Sequence, residues 1–390
     1  MTSSASLKAR RPGRYSFGMS DAEESRAAKL HREAIVIDLL SQRAGARIFD
    51  HYPSGLRADL DARINASNNI YERYSIAVNW PYDMALSGQS GLIYDWYREA
   101  GLSIISHQLP IFEDPLQGID ATPYLDGNRM RLVTTAAEMR AAKADNVIGS
   151  FANYQPLVSI PNDLSAITRA FEKGLRSLML TYNSMTSVGS GCTERADAGL
   201  SHHGVRVVKH CNELGVIVDT SHCGPQTTLD ACRFSKKPVT ANHTSAKGLF
   251  SHSRGKDDDC LKAIAGTGGL IGVLAVPAYL TDSNKPSIEH MLDHIEYIAG
   301  LVGWQHVAIG TDWPLQAPIE IQRPLFSPSN ADTGFRAEDA LDVEVNLDGF
   351  DDCRDMPNIT RGLVSRGWSD EAVIAVLGEN ALRVFAAVCG

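Results

Sequence analysis

Two short stretches of the chain climb through β-branched apolar residues and stop on a histidine: GVIVDTSHCGPQ (215–226) reaches His222, and PVTANHTSA (238–246) reaches His243. A third stretch, HVAIGTDW, closes on Asp312 in the same manner. Two neutral imidazoles and a carboxylate at neighbouring strand ends form a donor set for one zinc ion with a fourth position open to water, a site that would work as a Lewis acid. Without a metal, the same side chains would be an acid/base set, and isolated histidines also serve as hydrogen-bonded groups at a pocket rim. Asp312 is expected to act as a ligand or as a proton carrier, because an acid ending a buried strand contributes little to packing. His107, in GLSIISHQL, and Tyr182, in SLMLTY, stand at strand ends of the same kind.

Such residues converge only if many strands end in one place. Eight short runs rich in Val, Ile and Leu, at 34–39, 101–109, 146–152, 177–182, 215–222, 238–243, 269–276 and 306–312, read as strands buried on both faces. Helical spacing fills the intervals, as in GVRVVKHCNELG, where Val205, Val208, Cys211 and Leu214 share a face and Gly215 closes the helix. Eight alternations predict an α/β chain folded as a (β/α)8 TIM barrel, with its active site at the carboxyl ends of the strands. An open doubly wound sheet would carry a glycine-rich loop after an early strand, and VIDLLSQRAG has none. Residues 1–30 are expected to form an arm outside a single barrel domain of residues 31–390. The long segments after the first and eighth strands are expected to cover or shape the pocket.

A net charge of -9 offers no diffuse basic surface, so nucleic acid and anionic membranes are not expected partners. Seven cysteines without a CxxC pair suggest reduced thiols and a cytoplasmic location. No stretch has the length of a signal peptide's apolar region or a membrane span. Cys223, next to His222, points to the opposite face and is expected to be a packed thiol.

Taken in order, LTYNSMTS, the segment 199–224 around His222, the segment 238–273 around His243 and Arg254, HVAIGTDW and the tail 359–385 resemble the membrane dipeptidases (renal dipeptidase-like, peptidase family M19), binuclear zinc enzymes of the amidohydrolase type. The resemblance runs from about Leu30 to the end and implies a metal-dependent hydrolase-like barrel and a homodimer. It places His222 and His243 on the second zinc, Arg254 where an arginine grips the substrate carboxylate, and Asp312 where an aspartate handles the proton. The departures are equally specific. Where the family has Asp-Gly-His-Asn-Asp, Asp38 is followed by Leu39, Leu40, Ser41 and Gln42. The bridging glutamate of strand three gives way to Phe151, Tyr154 or Gln155, and a substrate-contacting histidine of strand four to Tyr182.

These departures predict a divergent enzyme for a small carboxylate-bearing molecule, using one zinc for hydrolysis or related Lewis-acid chemistry rather than ordinary dipeptide cleavage. Asp312, His222 and His243 are the expected catalytic and metal-binding residues. Arg254, Tyr182, Tyr154, Gln42 and His107 are the expected substrate contacts. The alternatives are a metal-independent lyase, decarboxylase or isomerase, and a non-catalytic ligand-binding relative.

Overall fold

The computed structural model describes residues 15–108, 128–157 and 159–390. Eight parallel strands follow one another around the core: β1 (Val36–Asp38), β2 (Leu102–Gln108), β3 (Ile148–Tyr154), β4 (Leu175–Met179), β5 (Ile217–Asp219), β6 (Val239–Ala246), β7 (Leu270–Val273) and β8 (Val307–Ile309). Just past the ends of β1 and β8, Leu39 N donates to Ile309 O and Asp312 N to Leu40 O, each at 2.9 Å, and these bonds close the sheet into a barrel. Two short strands are added at its margin, Met130–Leu132 beside β3 and Gly255–Lys256 beside β6. Each of the eight expected runs overlaps one barrel strand, although β4 begins before its run and β3 and β6 continue past theirs. Several strands stop short of the apolar run, because the chain leaves the ladder before it leaves the core. His222 and Asp312 therefore sit on loops just beyond β5 and β8.

The interior is apolar below the mouth. Ile37, Leu39, Phe151, Ile217, Leu270 and Ala308 pack against Ala381, Leu382, Val384 and Phe385 of the carboxyl-terminal helix Asn380–Val388. That helix plugs the amino ends of the strands, where Asn380 Nδ2 donates to Trp304 O at 2.7 Å and Val307 O at 2.9 Å. Phe151 and Phe385 meet edge to face at 4.9 Å.

The helix His202–Leu214 buries Gly204, Val207, Val208 and Cys211, so its inner face is turned away from the expected Val205. The spacing of these four follows the helical repeat, and Gly204 belongs to the face because Val188 O leaves no room for a side chain. At the amino end, Ser20 and Glu23 form a capping box that starts the helix Asp21–Glu33. Its Ala27 and Leu30 pack into the core, and Arg26 pairs with Asp370 at 2.7 Å. The expected arm is thus, from Asp21 onward, part of the barrel's outer layer, while residues 1–14 lie outside the described residues. Its high charge hides an apolar stripe only two residues wide.

The segment after β8 returns across the mouth as a lid. Gln316 Nε2 donates to Tyr74 OH at 2.7 Å, Tyr71 OH to Asp332 Oδ2 at 2.5 Å, and Ser253 Oγ to Asp339 Oδ1 at 2.8 Å. Among the described residues no helix is long and apolar enough to cross a membrane.

The floor of the barrel depends on the Phe151–Phe385 contact. Phe385→Ala is expected to lower the unfolding free energy by about 3–5 kcal/mol in urea titration. An unchanged midpoint would show that the floor does not rely on this ring.

Candidate functional site

His243 lies within β6 and His222 just past β5, and both are almost completely buried. His222 Nδ1 is 2.7 Å from Asn183 Oδ1, and His243 Nδ1 is 2.5 Å from Asn242 Oδ1. An amide oxygen only accepts, so each ring carries its proton on Nδ1 and keeps the lone pair of Nε2 for another partner. The orientation of both amides is fixed by further bonds. Asn183 Nδ2 donates to Thr333 O at 2.9 Å, and Asn242 Oδ1 also accepts from Ser221 Oγ at 2.8 Å. Burial first, and the Arg254 charge second, hold both imidazoles well below the usual histidine range, so they are neutral at physiological pH. The two rings are 4.9 Å apart, and Tyr182 stacks on His222 at 4.0 Å. His243 Nε2 is buried without a hydrogen-bond partner.

Asp312 has a left-handed backbone, with φ of 52°. An aspartate tolerates this region better than most side chains, and the bond from its N–H to Leu40 O holds it there. Its Oδ1 accepts from Gln42 Nε2 at 2.7 Å, and its Oδ2 lies 3.9 Å from His243 Nε2. Burial pushes its carboxyl up to about 6, against the downward pull of Arg254 and Gln42, and the neighbouring Asp38 adds to the rise.

Arg254 is 1% exposed and has no carboxylate at ion-pair distance among the described residues. Nη1 donates to Ser221 O at 2.6 Å, the guanidinium lies 5.7 Å from the Tyr279 ring centre, and Nε has no partner. A buried guanidinium that meets only uncharged groups among the described residues retains unused affinity for an anion. Lys256 is a second buried cation, donating to Cys223 O at 2.6 Å and Thr228 Oγ1 at 3.1 Å.

Gln42, Tyr182, His222, Arg254 and Asp312 line one cavity of about 30 Å³, roofed by Phe326, Phe335 and Leu341. Tyr154 is not among its walls. It packs with Ile160, Ile167 and Leu178 in the outer apolar layer, and the next residue, Gln155, faces the cavity because successive residues of an extended chain alternate. Gln155 Nε2 and Gln42 Oε1 are both buried without partners. His107 is on β2, paired with Ala152, and its side chain lies outside the described residues. Cys223 is buried, its Sγ accepting from Thr181 Oγ1 at 3.3 Å. Sequence reasoning passed over Asn183, Asn242 and Tyr279. The first two stand immediately beside Tyr182 and His243, and that adjacency was the available signal.

A two-cation centre does not fit these residues. The end of β1 supplies Leu39 to Gln42 and β3 supplies no carboxylate, and among the described residues no three His, Cys, Asp or Glu side chains are grouped to hold a metal. The two Nε2 lone pairs, one of them on a buried atom without a partner, fit a single cation held by two protein donors.

A family model described as Membrane dipeptidase (Peptidase family M19) matches residues 104–321 and 338–389. Dipeptidase verJ of Clonostachys rogersoniana is 26% identical over 263 residues, which is 67% of this chain but only 61% of that protein. The crystal structure of an amidohydrolase from Pseudomonas aeruginosa superposes with a TM-score of 0.74 at 26% identity, covering 93% of this chain and 99% of the other. A metallopeptidase from Rhodobacter sphaeroides, bound to a phosphinate mimic of the dipeptide L-Ala-D-Ala, shares the fold at 18% identity, with a TM-score of 0.64 over 91% of this chain and 100% of its own.

The Asp312 carboxyl, held near 6 instead of 3.8, keeps its proton more tightly in the folded protein than in the unfolded chain. Its contribution to stability is therefore present below the unfolded value and is lost as pH rises through the folded one. Relative to the wild type, Asp312→Asn should gain roughly 2–3 kcal/mol between about pH 4 and about pH 7.5 in urea titrations. A difference independent of pH would show that this carboxyl is not desolvated.

Proposed function

Because the chain belongs to the membrane dipeptidase family, peptidase family M19, we propose that it is a hydrolase for a small carboxylate-bearing molecule, bound between Arg254 and Asp312 at the barrel mouth. The observation that carries this reading is the buried Arg254, which has no carboxylate partner and opens on the same cavity as Asp312. Arg254 would take the substrate carboxylate through its free Nε and a neighbouring nitrogen. Asp312, ionised at neutral pH and held by Gln42, would accept the proton of the attacking water and return it to the leaving group. Tyr182, Tyr279 and the roofing Phe335 would keep bulk water from the reacting atoms.

His222 and His243 are the residues that would hold a zinc ion, which when bound supplies Lewis-acid polarisation and a more acidic water. Asp312 stands beside this pair, its Oδ1 engaged by Gln42 and its Oδ2 3.9 Å from His243 Nε2. The missing bridge argues against two-ion dipeptide cleavage.

A second reading, metal-independent elimination, decarboxylation or isomerisation by the same acid and base groups, is favoured by one observation. Arg254 and Lys256 are buried cations near both histidines, and they oppose a further positive charge there. A cytoplasmic setting is supported by the seven unpaired thiols. The homodimer rests on the family resemblance alone.

Elemental mass spectrometry of protein purified without chelator should find close to one zinc per chain, lost in His222→Ala/His243→Ala. No stoichiometric metal would move the chemistry to the second reading. In either case kcat/KM should rise with pH through about 6 as Asp312 ionises. Asp312→Asn should lower it by on the order of 10²–10⁴. Arg254→Met should weaken carboxylate ligands by on the order of 30-fold or more. Unchanged carboxylate affinity in that variant would overturn the proposal.

A further inference from the structure

We infer that Asn183 is a positioning residue that couples closure of the lid to the tautomer of His222, so that this ring offers its Nε2 lone pair only when the mouth is covered. The inference rests on reading His222 as a residue of the site. The side-chain amide of Asn183 is buried and bonded in two directions: Oδ1 lies 2.7 Å from His222 Nδ1, and Nδ2 donates to Thr333 O on the lid at 2.9 Å. The lid reaches this amide closely. A side-chain carbon on Gly334 would stand 2.5 Å from Ser184 Oγ and 3.1 Å from Asn183 Cβ, so only glycine fits there. Thr193 Oγ1 adds a clasp between Asn183 O at 2.9 Å and Gly334 O at 3.0 Å. The next lid residue, Phe335, meets the edge of Tyr182, the ring stacked on His222.

An asparagine amide has no preferred end unless a neighbour distinguishes its nitrogen from its oxygen. For Asn183 that neighbour is the carbonyl of Thr333. With the lid in place, Nδ2 must face Thr333, Oδ1 must face the ring, and His222 must carry its proton on Nδ1. With the lid withdrawn, the amide keeps only the weak Cys192 thiol, 3.5 Å from Oδ1, and a thiol can donate to an oxygen or accept from an N–H, so it does not prevent the amide from turning over. It would then present N–H to Nδ1, shift the ring proton to Nε2 and remove the lone pair that a cation or a proton would use.

His243 lacks this dependence. Its Nδ1 faces Asn242, whose Oδ1 accepts from Ser221 Oγ at 2.8 Å and whose backbone N–H donates to Asp219 Oδ2 at 2.6 Å. These partners all belong to β5, β6 and the turn after β5, so the lid controls one histidine of the pair and not the other.

The test is long-range proton–nitrogen NMR of protein with isotope-labelled histidine, at mildly alkaline pH, with His222 assigned by its loss in His222→Gln. Wild-type His222 should show a protonated Nδ1 and a bare Nε2. Tyr71→Phe/Ser253→Ala removes two lid ties remote from the histidines and should shift His222 toward mixed tautomers while His243 stays unchanged. Asn183→Asp presents an acceptor to the ring whichever way it turns but cannot donate to Thr333 O. In that variant, backbone hydrogen exchange at 330–335 should quicken roughly two- to tenfold, the worth of one hydrogen bond. His222 should keep its Nδ1 proton and cease to respond to the lid substitutions.

A proton on Nε2 in the wild type, a His222 indifferent to the lid variant, or an equal shift in His243 would overturn the inference. If substitution at Asn183 prevents folding, the lid variant in the wild-type background still decides it. The readout needs neither substrate nor metal. Failure of the Arg254 and Asp312 tests would leave it standing, and its failure would leave them untouched.

Discussion

The mouth depends on a buried carboxylate that has no counter-charge among the described residues. Asp38, at the end of β1, accepts from Thr311 N at 2.9 Å and Thr311 Oγ1 at 2.7 Å, and so ties the first strand to the loop after the last. Burial pushes this carboxyl up to about 6, and only neutral donors offset it. Its position fixes the turn in which Asp312 takes its left-handed backbone, and Gln42, four residues further along from Asp38, then meets Asp312. Closure of the barrel and placement of the acid/base candidate are thus one arrangement. An ion pair at the seam would have closed the sheet as well, but it would have set a full positive charge next to Asp312 and drawn its carboxyl back down.

On the opposite wall the charge is reversed. Arg254 and Lys256 are buried among carbonyls and hydroxyls, and burial, reinforced by their charges, keeps His222 and His243 neutral. The pocket is therefore graded from a positive wall to an acidic seam, with neutral imidazoles and side-chain amides between. Such a field would turn an anionic group toward the Arg254 wall and away from the Asp312 seam. The amides of Gln42 and Gln155 stand at the mouth, each with a buried polar atom left without a partner, so this part of the cavity is neutral and able to hydrogen-bond.

The strands were legible because a strand buried on both faces writes itself as an unbroken apolar run. The residues ending those runs, His222, His243 and Asp312, could be placed at the mouth for that reason. Legibility failed where side-chain direction or distant packing decides. Tyr154 and Gln155 are neighbours at the end of β3, and only the phase of the strand tells which one looks inward. Val205 yields to Val207 because the helix turns to fit Gly204 against Val188 O. The contact between Asn183 and Thr333 spans 150 positions of sequence. It joins two irregular segments, and neither has a periodicity that could announce the other.

The cavity under the lid has about the volume of one water molecule. A larger molecule fits there only if roofing side chains such as Phe326, Phe335 and Leu341 shift from where they lie. A ligand that needs such a shift binds with an apparent affinity reduced by the fraction of molecules in which the shift has occurred. Substitutions in the roof, far in sequence from Asp312, would then act on binding by altering how often the space beneath them opens.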